Sequence, residues 1–275
     1  MKNTIAVYNF KGGVGKTTSV FNLACAWSRT YRTLVIDCDP QCNLSNVLIP
    51  NYEAKQSVYS YLKELVHNQI PAIQPIKIKE KLDLIPGHYS MIELESNSQF
   101  IEFGSVILQR FLERVKMNYD VVIIDCPSYF GKTVKSVLNS SDHLLIPATP
   151  DVFSLKGAVR LLKYAANMNR LKPINILGVF LNRYRRNFLF HRKMITAARR
   201  VFSKQLIGKT IRNTVRINET ADRKMLRNSA ESTSNVAADY LELGKLLAER
   251  IDRYKKNRML KLNQANNLQS WIQAS

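Results

Sequence analysis

Short apolar runs alternate with longer segments of helical periodicity along most of the chain. The runs have the length and β-branched content of buried strands, and they are TIAVYNF, RTLVIDCD, KLDLIPG, DVVIIDCPS, HLLIPAT, INILGVFLN and QLIGKTI. Helical spacing follows in TTSVFNLACAWSRT and SVILQRFLERVK, and near residues 154–168, 188–202 and 236–261. Strands without polar alternation are buried on both faces, so the pattern predicts an α/β fold in which helices cover both faces of a mostly parallel, twisted sheet.

The 275 residues contain no repeat and no Gly/Ser linker. We expect one domain over residues 1–262, with a helix and loop added at residues 51–75, and a polar C-terminal tail at 263–275. No apolar run approaches the roughly 20 residues that span a bilayer, and the glycine-rich loop begins too early to leave room for a signal peptide. The four cysteines show no paired or zinc-like spacing, which fits a reducing cytoplasm.

The segment GGVGKTT follows the first predicted strand and opens the first predicted helix. Glycines allow backbone N–H groups to turn toward one anion, and the helix adds its positive end. In such a loop Lys16 reaches the β- and γ-phosphates and Thr17 gives its hydroxyl to Mg²⁺. The segment therefore predicts a P-loop nucleoside triphosphatase (NTPase). Two features are unusual, because Phe10 stands where the motif has its first glycine and Lys11 is a second lysine.

Acidic residues follow two of the predicted strands. VIDCDP places Asp37 and Asp39 after the second strand, and VVIIDCPS places Asp125 after a four-residue apolar run. In P-loop NTPases, an acid at the end of such a strand supplies the carboxylate that holds Mg²⁺, usually through a bound water. Together with the loop, these acids predict a magnesium site at the carboxyl edge of the sheet.

Positive charge is concentrated toward the end of the chain. There are 41 Lys and Arg against 21 Asp and Glu, and residues 180–261 hold 21 basic and 7 acidic residues. This asymmetry indicates a polyanionic partner, either nucleic acid or an anionic membrane. The basic residues form three clusters at 183–193, 209–227 and 250–261. The interleaved Phe188, Leu189 and Phe190 are predicted to pack a helix, with base stacking as the alternative.

The motifs KGGVGKTT, DCDPQCN and IIDCPS resemble those of the deviant-Walker ATPases, and specifically the ParA-type partition ATPases of the ParA/MinD superfamily. The similarity extends over nearly the whole chain, through PATPDVFSLKGAVRLL, IRNTVRINET and NSAESTSNVAADYLELGKLLAERI. The chain departs from the family pattern at three places. Cys42 replaces a frequent glycine, Ser128 replaces a proline, and Ile211–Arg212 replaces an Ile-Pro-Arg order.

The resemblance implies roles for individual residues. Lys11 would reach across an ATP-sandwiched homodimer to the partner's phosphates, while Lys16 serves its own nucleotide. Asp39 would orient the attacking water, in a slow ATPase stimulated by an adaptor protein. Asn182 would read the adenine edge, with a strand-end turn residue as the alternative. The implied magnesium ligands are Thr17, Asp39 and Asp125, and the implied ATP-binding residues are Lys11, Gly12, Gly13, Val14, Gly15, Lys16, Thr17, Thr18, Asn182 and Arg212.

The resemblance also implies that the ATP-bound dimer binds DNA without sequence preference and positions a cargo along the nucleoid. The predicted DNA-binding residues are Arg216, Arg250, Arg253, Lys255, Lys256 and Arg258. For Arg216, an internal ion pair with Glu219 is the alternative. The loop begins too near Met1 to admit the N-terminal helix-turn-helix of larger relatives, so sequence-specific reading is not expected.

Two other classes of function compete with DNA binding. A Min-type ATPase would bind membrane through a C-terminal amphipathic helix, and Leu268, Trp271 and Ile272 have helical spacing. However, residues 263–275 contain no Lys or Arg, whereas membrane-surface helices usually carry them on the polar face, so we expect DNA rather than membrane. An enzyme acting on a small substrate would need a further catalytic constellation, and the sequence offers none.

Overall fold

The computed structural model describes residues 3–52, 56–168, 174–213 and 235–274, and the side chains of the last helix up to residue 257. A sheet in the order β3-β4-β2-β5-β1-β6-β7-β8 forms the centre of the fold. Every neighbouring pair is parallel except β3 with β4, which is antiparallel. The strands are β1 (Asn3–Val7), β2 (Thr33–Asp37), β3 (Ile76–Lys79), β4 (Leu82–Ile85), β5 (Val121–Asp125), β6 (His143–Ala148), β7 (Asn175–Tyr184) and β8 (Leu206–Arg212).

Helices connect the strands and cover both faces of the sheet. They are α1 (Lys16–Trp27), α2 (Asn43–Leu48), α3 (Val58–Val66), α4 (Ser98–Val115), α5 (Lys132–Ser140), α6 (Val152–Ala166), α7 (Leu189–Phe202) and α8 (Asn235–Ala274), with short 3-10 helices at Tyr89–Glu95, Lys116–Asn118 and Ser203–Gln205. The predicted α/β class and the mostly parallel sheet are confirmed. None of the described helices combines the length and apolarity needed to cross a bilayer.

Apolar residues fill one layer on each side of the sheet. One layer lies under α3 to α7, and it includes Leu62, Phe111 and Leu161. The other lies under α1 and α8, and it includes Phe21 and Leu247. Because strands without polar alternation contribute side chains to both layers, the sheet is enclosed on both faces and presents its loops at its edges.

The prediction that Phe188, Leu189 and Phe190 pack a helix is wrong. Their side chains are 52%, 70% and 42% exposed, respectively. The reason is that α7 buries only Ala198 and Phe202 fully, so it contributes little of its first turn to the core. The start of α7 therefore presents an apolar surface beside a basic segment.

Helix α8 is fixed to the sheet at two levels. Near its start, Asp239 accepts two hydrogen bonds of 2.8 Å from the guanidinium of Arg212 and forms an ion pair of 3.0 Å with Lys209. About three turns further on, the Arg250 guanidinium donates to the carbonyls of Leu177 and Leu206 at 3.0 and 3.1 Å. Arg212 ends β8, whereas the two carbonyls lie near the starts of β7 and β8. Helix α8 thus runs antiparallel to these strands, and it extends through most of the residues expected to form a tail.

We predict that Asp239→Asn destabilises the protein by about 2–4 kcal/mol, because Asp239 is 1% exposed and its loss leaves Arg212 and Lys209 without their shared anion. The matched control is Glu242→Gln, which removes the exposed partner of Lys209 and should cost less than about 0.5 kcal/mol. Urea denaturation of both variants measures the difference. Equal midpoints for the two variants would contradict an anchoring role for Asp239.

Candidate nucleotide site

The glycine-rich loop between β1 and α1 is shaped by left-handed glycines and held at both ends. Gly13 and Gly15 have φ of 73° and 89°, which side chains with a Cβ rarely adopt. A Cβ on Gly15 would also clash with the amide nitrogen of Asn182. On the other side, the Asn9 side chain donates to the carbonyl of Pro147 at 2.8 Å and accepts from the backbone of Lys11. Left-handed glycines and these side-chain contacts therefore fix the shape of the loop.

Lys16 lies inside this loop. Its side chain is buried, with the ammonium 3.5 Å from the carbonyl oxygen of Asn9 and 5.8 Å from the ring centroid of Tyr8. Burial lowers the pKa of Lys16, and the negative charge of Asp125 acts in the opposite direction. A buried ammonium at the start of a helix, beside two left-handed glycines, is the environment that a phosphate group requires.

Asp125 ends β5 beside this loop, and its carboxylate is poorly satisfied. The residue is fully buried, and neither oxygen has a hydrogen bond of normal geometry among the described residues. Burial and then the charge of Asp37 raise the pKa of Asp125 well above its usual range, while the nearby Thr17 hydroxyl lowers it only partly. A buried carboxylate with open lone pairs fits a divalent cation or its bound water.

A cation at this position would take few ligands from the protein. Within the described part of the chain, no group of three or more His, Cys, Asp or Glu side chains could hold a metal ion. Mg²⁺ suits such a site, because it binds through one or two protein oxygens and completes its shell with water and phosphate oxygens. The Thr17 hydroxyl and Asp125 are the groups in place to supply those protein oxygens.

Asp37 and Asp39 have different surroundings. Asp37 is fully buried and accepts hydrogen bonds from the backbone N–H groups of Asp39 and Ser45, at 3.1 and 2.9 Å. Asp39 is 9% exposed, and its carboxylate accepts from the backbone of Gln41 at 3.0 Å. Burial raises the pKa of Asp39, and hydrogen bonding to Gln41 opposes this. Among the hydrogen bonds of the described residues, Asp39 thus uses one carboxylate oxygen, whereas both oxygens of Asp37 are bonded within the protein.

Lys11 lies at the surface and has an internal partner. Its ammonium forms a 2.8 Å ion pair with Asp151 and is 39% exposed. Asp151 also accepts from the Thr149 hydroxyl and, as the N-cap of α6, from the backbone of Ser154. Burial acts to raise the pKa of Asp151, but the Lys11 and Thr149 donors outweigh it and leave the pKa below its usual value. The two lysines of the loop therefore lie in different environments: Lys16 is buried and Lys11 is at the surface.

The other predicted ATP-binding residues are placed as follows. Asn182 is 1% exposed at the end of β7, donates to the carbonyl of Val14 at 2.9 Å and accepts from the backbone of Arg183. It supports the loop in this structure, and its contact with adenine stays a prediction. Arg212 is held by Asp239 on the same edge of the sheet, and its role toward ATP also stays a prediction.

The predicted DNA-binding residues are scattered. Arg216 lies outside the described residues, and the side chain of Arg258 is likewise not among those described. Arg250 is engaged with backbone carbonyls, which makes it an anchor of α8 rather than an exposed cation. Arg253 and Lys256 are exposed and Lys255 is half-buried, all near the starts of the strands and therefore opposite the glycine-rich loop.

Sequence reasoning missed Asn9 and Asp151, and it left Phe10 unexplained. The Phe10 ring packs edge-on against Phe130 and Tyr8, with centroids 4.8 and 5.5 Å apart. Phe130 lies in the loop after Asp125, so an aromatic contact joins the two loops where the usual motif has glycine. An acid directly before a helical segment, as in TPDVF, was the available signal for Asp151 as an N-cap.

A glycine-rich loop with Lys16 inside it, at the carboxyl edge of a parallel sheet, defines a P-loop nucleotide-binding protein, and an AAA domain model matches residues 2–176. The chain belongs to the ParA family, since it is 30% identical over 244 residues to a ParA family protein of Chlamydia trachomatis, covering 87% of this chain and 95% of the relative. Among solved structures, it is similar to an ATP complex of Cyanothece McdA, with a TM-score of 0.78, 23% identity and coverage of 90% and 96% of the two chains. It is also similar to cobyrinic acid a,c-diamide synthase of Mycobacterium smegmatis with ADP and magnesium, with a TM-score of 0.75, 22% identity and coverage of 92% and 96%.

We predict that Asp125→Asn stabilises the nucleotide-free protein by about 1–3 kcal/mol at neutral pH. A carboxyl with a raised pKa binds its proton more tightly in the folded chain. The stability of the parent should therefore fall as pH rises from about 4 through that raised pKa, and the variant should lose this part of the pH dependence. Denaturation between pH 4 and 8 without nucleotide or Mg²⁺ measures both effects.

The same variant should lose the part of the stabilisation by an ATP analogue that depends on Mg²⁺ in the parent. If Asp125→Asn is less stable than the parent at neutral pH, or still responds to Mg²⁺ as the parent does, the carboxylate is not reserved for a cation.

Proposed function

We propose that this protein is an ATP- and Mg²⁺-dependent positioning ATPase that dimerises around nucleotide and binds DNA without sequence preference. The observation that carries the proposal is the division between two lysines of one loop: Lys16 is buried in the phosphate cradle, and Lys11 is exposed beside it. Family membership supports ATPase activity of the positioning type. The ATP and magnesium ligands in the similar structures support these two cofactors here.

In the proposed reaction, the backbone N–H groups of the loop and Lys16 hold the ATP phosphates. Thr17 and Asp125 would hold Mg²⁺, which would offset negative charge on the phosphates. Asp39, the less enclosed of the two acids after β2, would orient the attacking water and adds a carboxylate near the metal. Phosphoryl transfer depends mainly on positioning and electrostatics, so this site needs no strong general base. Because the proposed reaction uses no strong general base, we expect slow turnover that an adaptor protein stimulates.

Lys11 supports dimerisation because, among the described residues, its ammonium is held by the partly exposed carboxylate of Asp151, an ion pair that costs little to break. The exchange of Asp151 for a partner's phosphates replaces a half-exposed ion pair by a stronger charge-assisted contact. The chain is strongly basic, so two copies repel each other until nucleotide phosphates lie between them. Dimerisation would therefore depend on ATP.

We predict that Lys11→Ala binds a non-hydrolysable ATP analogue within about threefold of the parent but stays monomeric, as judged by light scattering. Lys16→Ala is the comparison, and it should lose binding by about 100-fold or more because the buried phosphate contact is removed. Asp151→Asn, which frees Lys11, should dimerise at least as readily as the parent. A fully dimeric Lys11→Ala protein would exclude the cross-dimer role.

The most suitable described surface for DNA is a basic stripe on α7, formed by Arg192, Lys193, Arg199 and Arg200. All four side chains are exposed, and no ion pair involves them within the described part of the chain. Positions seven apart share a helix face, so the stripe repeats after about 10 Å. Residues 174–213 contain ten basic residues and no Asp or Glu. Lys209 and Arg212 are paired with acids of α8, whereas the stripe on α7 has no such compensation among the described residues.

The cluster on α8 is less favourable for a polyanion. Arg253, Lys255 and Lys256 share their part of the helix with Glu249 and Asp252, which reduces the local potential. We therefore infer that α7 makes more phosphate contacts than the described part of α8, and that Arg253, Lys255 and Lys256 add to them.

We predict that the parent retards random duplex DNA only with ATP, and that its log affinity falls steeply with log salt. Arg192→Ala/Arg199→Ala should reduce that slope by about two, because each lost phosphate contact releases one fewer counterion. Arg253→Ala/Lys256→Ala removes the same charge and should reduce the slope by less. Equal effects of the two pairs would contradict the assignment to α7.

Two outcomes would redirect the proposal as a whole. Sedimentation of the ATP-bound protein with anionic vesicles, without retardation of DNA, would favour the Min-type alternative. An absence of both interactions, with intact ATP hydrolysis, would favour an enzyme acting on a small substrate, as the similar cobyrinic acid a,c-diamide synthase illustrates for this fold.

A further inference from the structure

Three separate segments meet at the hydroxyl of Ser45, on the first turn of α2. The Ser45 hydroxyl donates to the Asp37 carboxylate at 2.7 Å and accepts from the backbone N–H of Gly87 at 2.8 Å. The backbone N–H of Ser45 donates to the same carboxylate oxygen at 2.9 Å. The other oxygen of Asp37 accepts from the backbone of Asp39 at 3.1 Å. One hydroxyl thus links the end of β2, the start of α2 and the loop after β4.

The junction is enclosed and tightly packed. Asp37 is fully buried and Ser45 is 5% exposed. A Cβ on Gly87 would lie 3.0 Å from the carbonyl oxygen of Asp37 and 3.1 Å from its carboxylate carbon. Removal of the Ser45 hydroxyl would therefore leave the Gly87 N–H without its acceptor and deprive Asp37 of a donor, in a space with little room for rearrangement.

The backbone of Asp39 depends on this junction. Its N–H is held by Asp37, and its side chain is held by the backbone N–H of Gln41. The turn from Asp39 to Ser45 includes Cys42 at a φ of 53°, which is unfavourable for a residue with a side chain. A strained turn keeps one conformation only where surrounding contacts fix it, and here Asp37 and Ser45 supply such contacts.

We propose that Ser45 is a positioning residue for ATP hydrolysis, which acts through Asp37 to fix the place of Asp39. The inference rests on the role proposed above for Asp39. Ser45 touches neither the phosphates nor the metal in this scheme. Its loss should therefore change the rate of the chemical step while ATP binding, which depends on the glycine-rich loop and Lys16, is retained.

The test compares Ser45→Ala, Ser45→Thr and Ser28→Ala in the full chain with Mg²⁺ and ATP. Ser45→Ala should lower kcat by about tenfold, with ATP-analogue affinity within about threefold of the parent. Ser45→Thr keeps a hydroxyl and should recover most of kcat. Ser28→Ala removes a buried hydroxyl just after α1 that donates to the carbonyl of Cys25, and it should leave kcat unchanged.

Hydrogen exchange on the nucleotide-free proteins supplies a readout that needs no activity. Ser45→Ala should speed amide exchange in residues 38–46 and at Gly87, whereas Ser28→Ala should not. Unchanged exchange in these segments, or parent-like kcat in Ser45→Ala, would overturn the inference. The comparison with Asp39→Ala separates the two proposals: if Asp39→Ala hydrolyses ATP as the parent does, the role of Asp39 fails, even where exchange shows that Ser45 fixes the turn.

Discussion

Two carboxylates, Asp37 and Asp125, are buried side by side at the ends of neighbouring parallel strands. The architecture of the site depends on which groups compensate the charge of each carboxylate. They are paired in register across β2 and β5, and burial raises the pKa of both, that of Asp37 to about 6. Two ionised carboxylates buried this close destabilise the folded state unless hydrogen-bond donors or a cation compensate their charge. Asp37 receives its donors from the chain, through Asp39 and Ser45. Within the described residues, Asp125 receives no hydrogen bond of normal geometry. One acid therefore organises the backbone, and the proposed function assigns the other to a cation.

The same separation of roles extends to positive charge. Lys16 is desolvated beside Asp125 inside the loop, whereas Lys11 lies at the surface, where the proposed function has it exchange Asp151 for a partner's phosphates. With a net charge of +20, the chain disfavours self-association until anions are present. Nucleotide phosphates would supply them between two copies, and nucleic acid phosphates would supply them along α7. In the proposed function, nucleotide-dependent assembly and polyanion binding would thus share an electrostatic origin, although they would use different residues.

The sequence predicted what local pattern and backbone chemistry decide. Apolar runs identified seven of the strands, and Gly12 to Thr18 identified the loop, because both depend on neighbours in sequence. Strand β3 was missed, since IKIK is a short edge strand with alternating lysines. Contacts between distant residues were equally invisible: Lys11 meets Asp151 across 140 positions, and Arg250 meets the carbonyl of Leu177 across 73. Phe188 to Phe190 were misjudged because helical spacing does not reveal which turns of α7 reach the core.

A fold shared with a cobyrinic acid a,c-diamide synthase cannot by itself select a positioning function, so selection must come from residues that such an enzyme would not need. In the proposed scheme, Lys16, Thr17 and Asp125 would serve any nucleotide that carries phosphates. Lys11 differs, because an ammonium outside its own phosphate cradle adds nothing to binding in a single chain. Its ion pair with Asp151 is weak enough to exchange and geometrically defined enough to hold the side chain at the rim of the loop. That arrangement suits the approach of a second phosphate-bearing surface, which favours the proposed assembling ATPase over an enzyme that works alone.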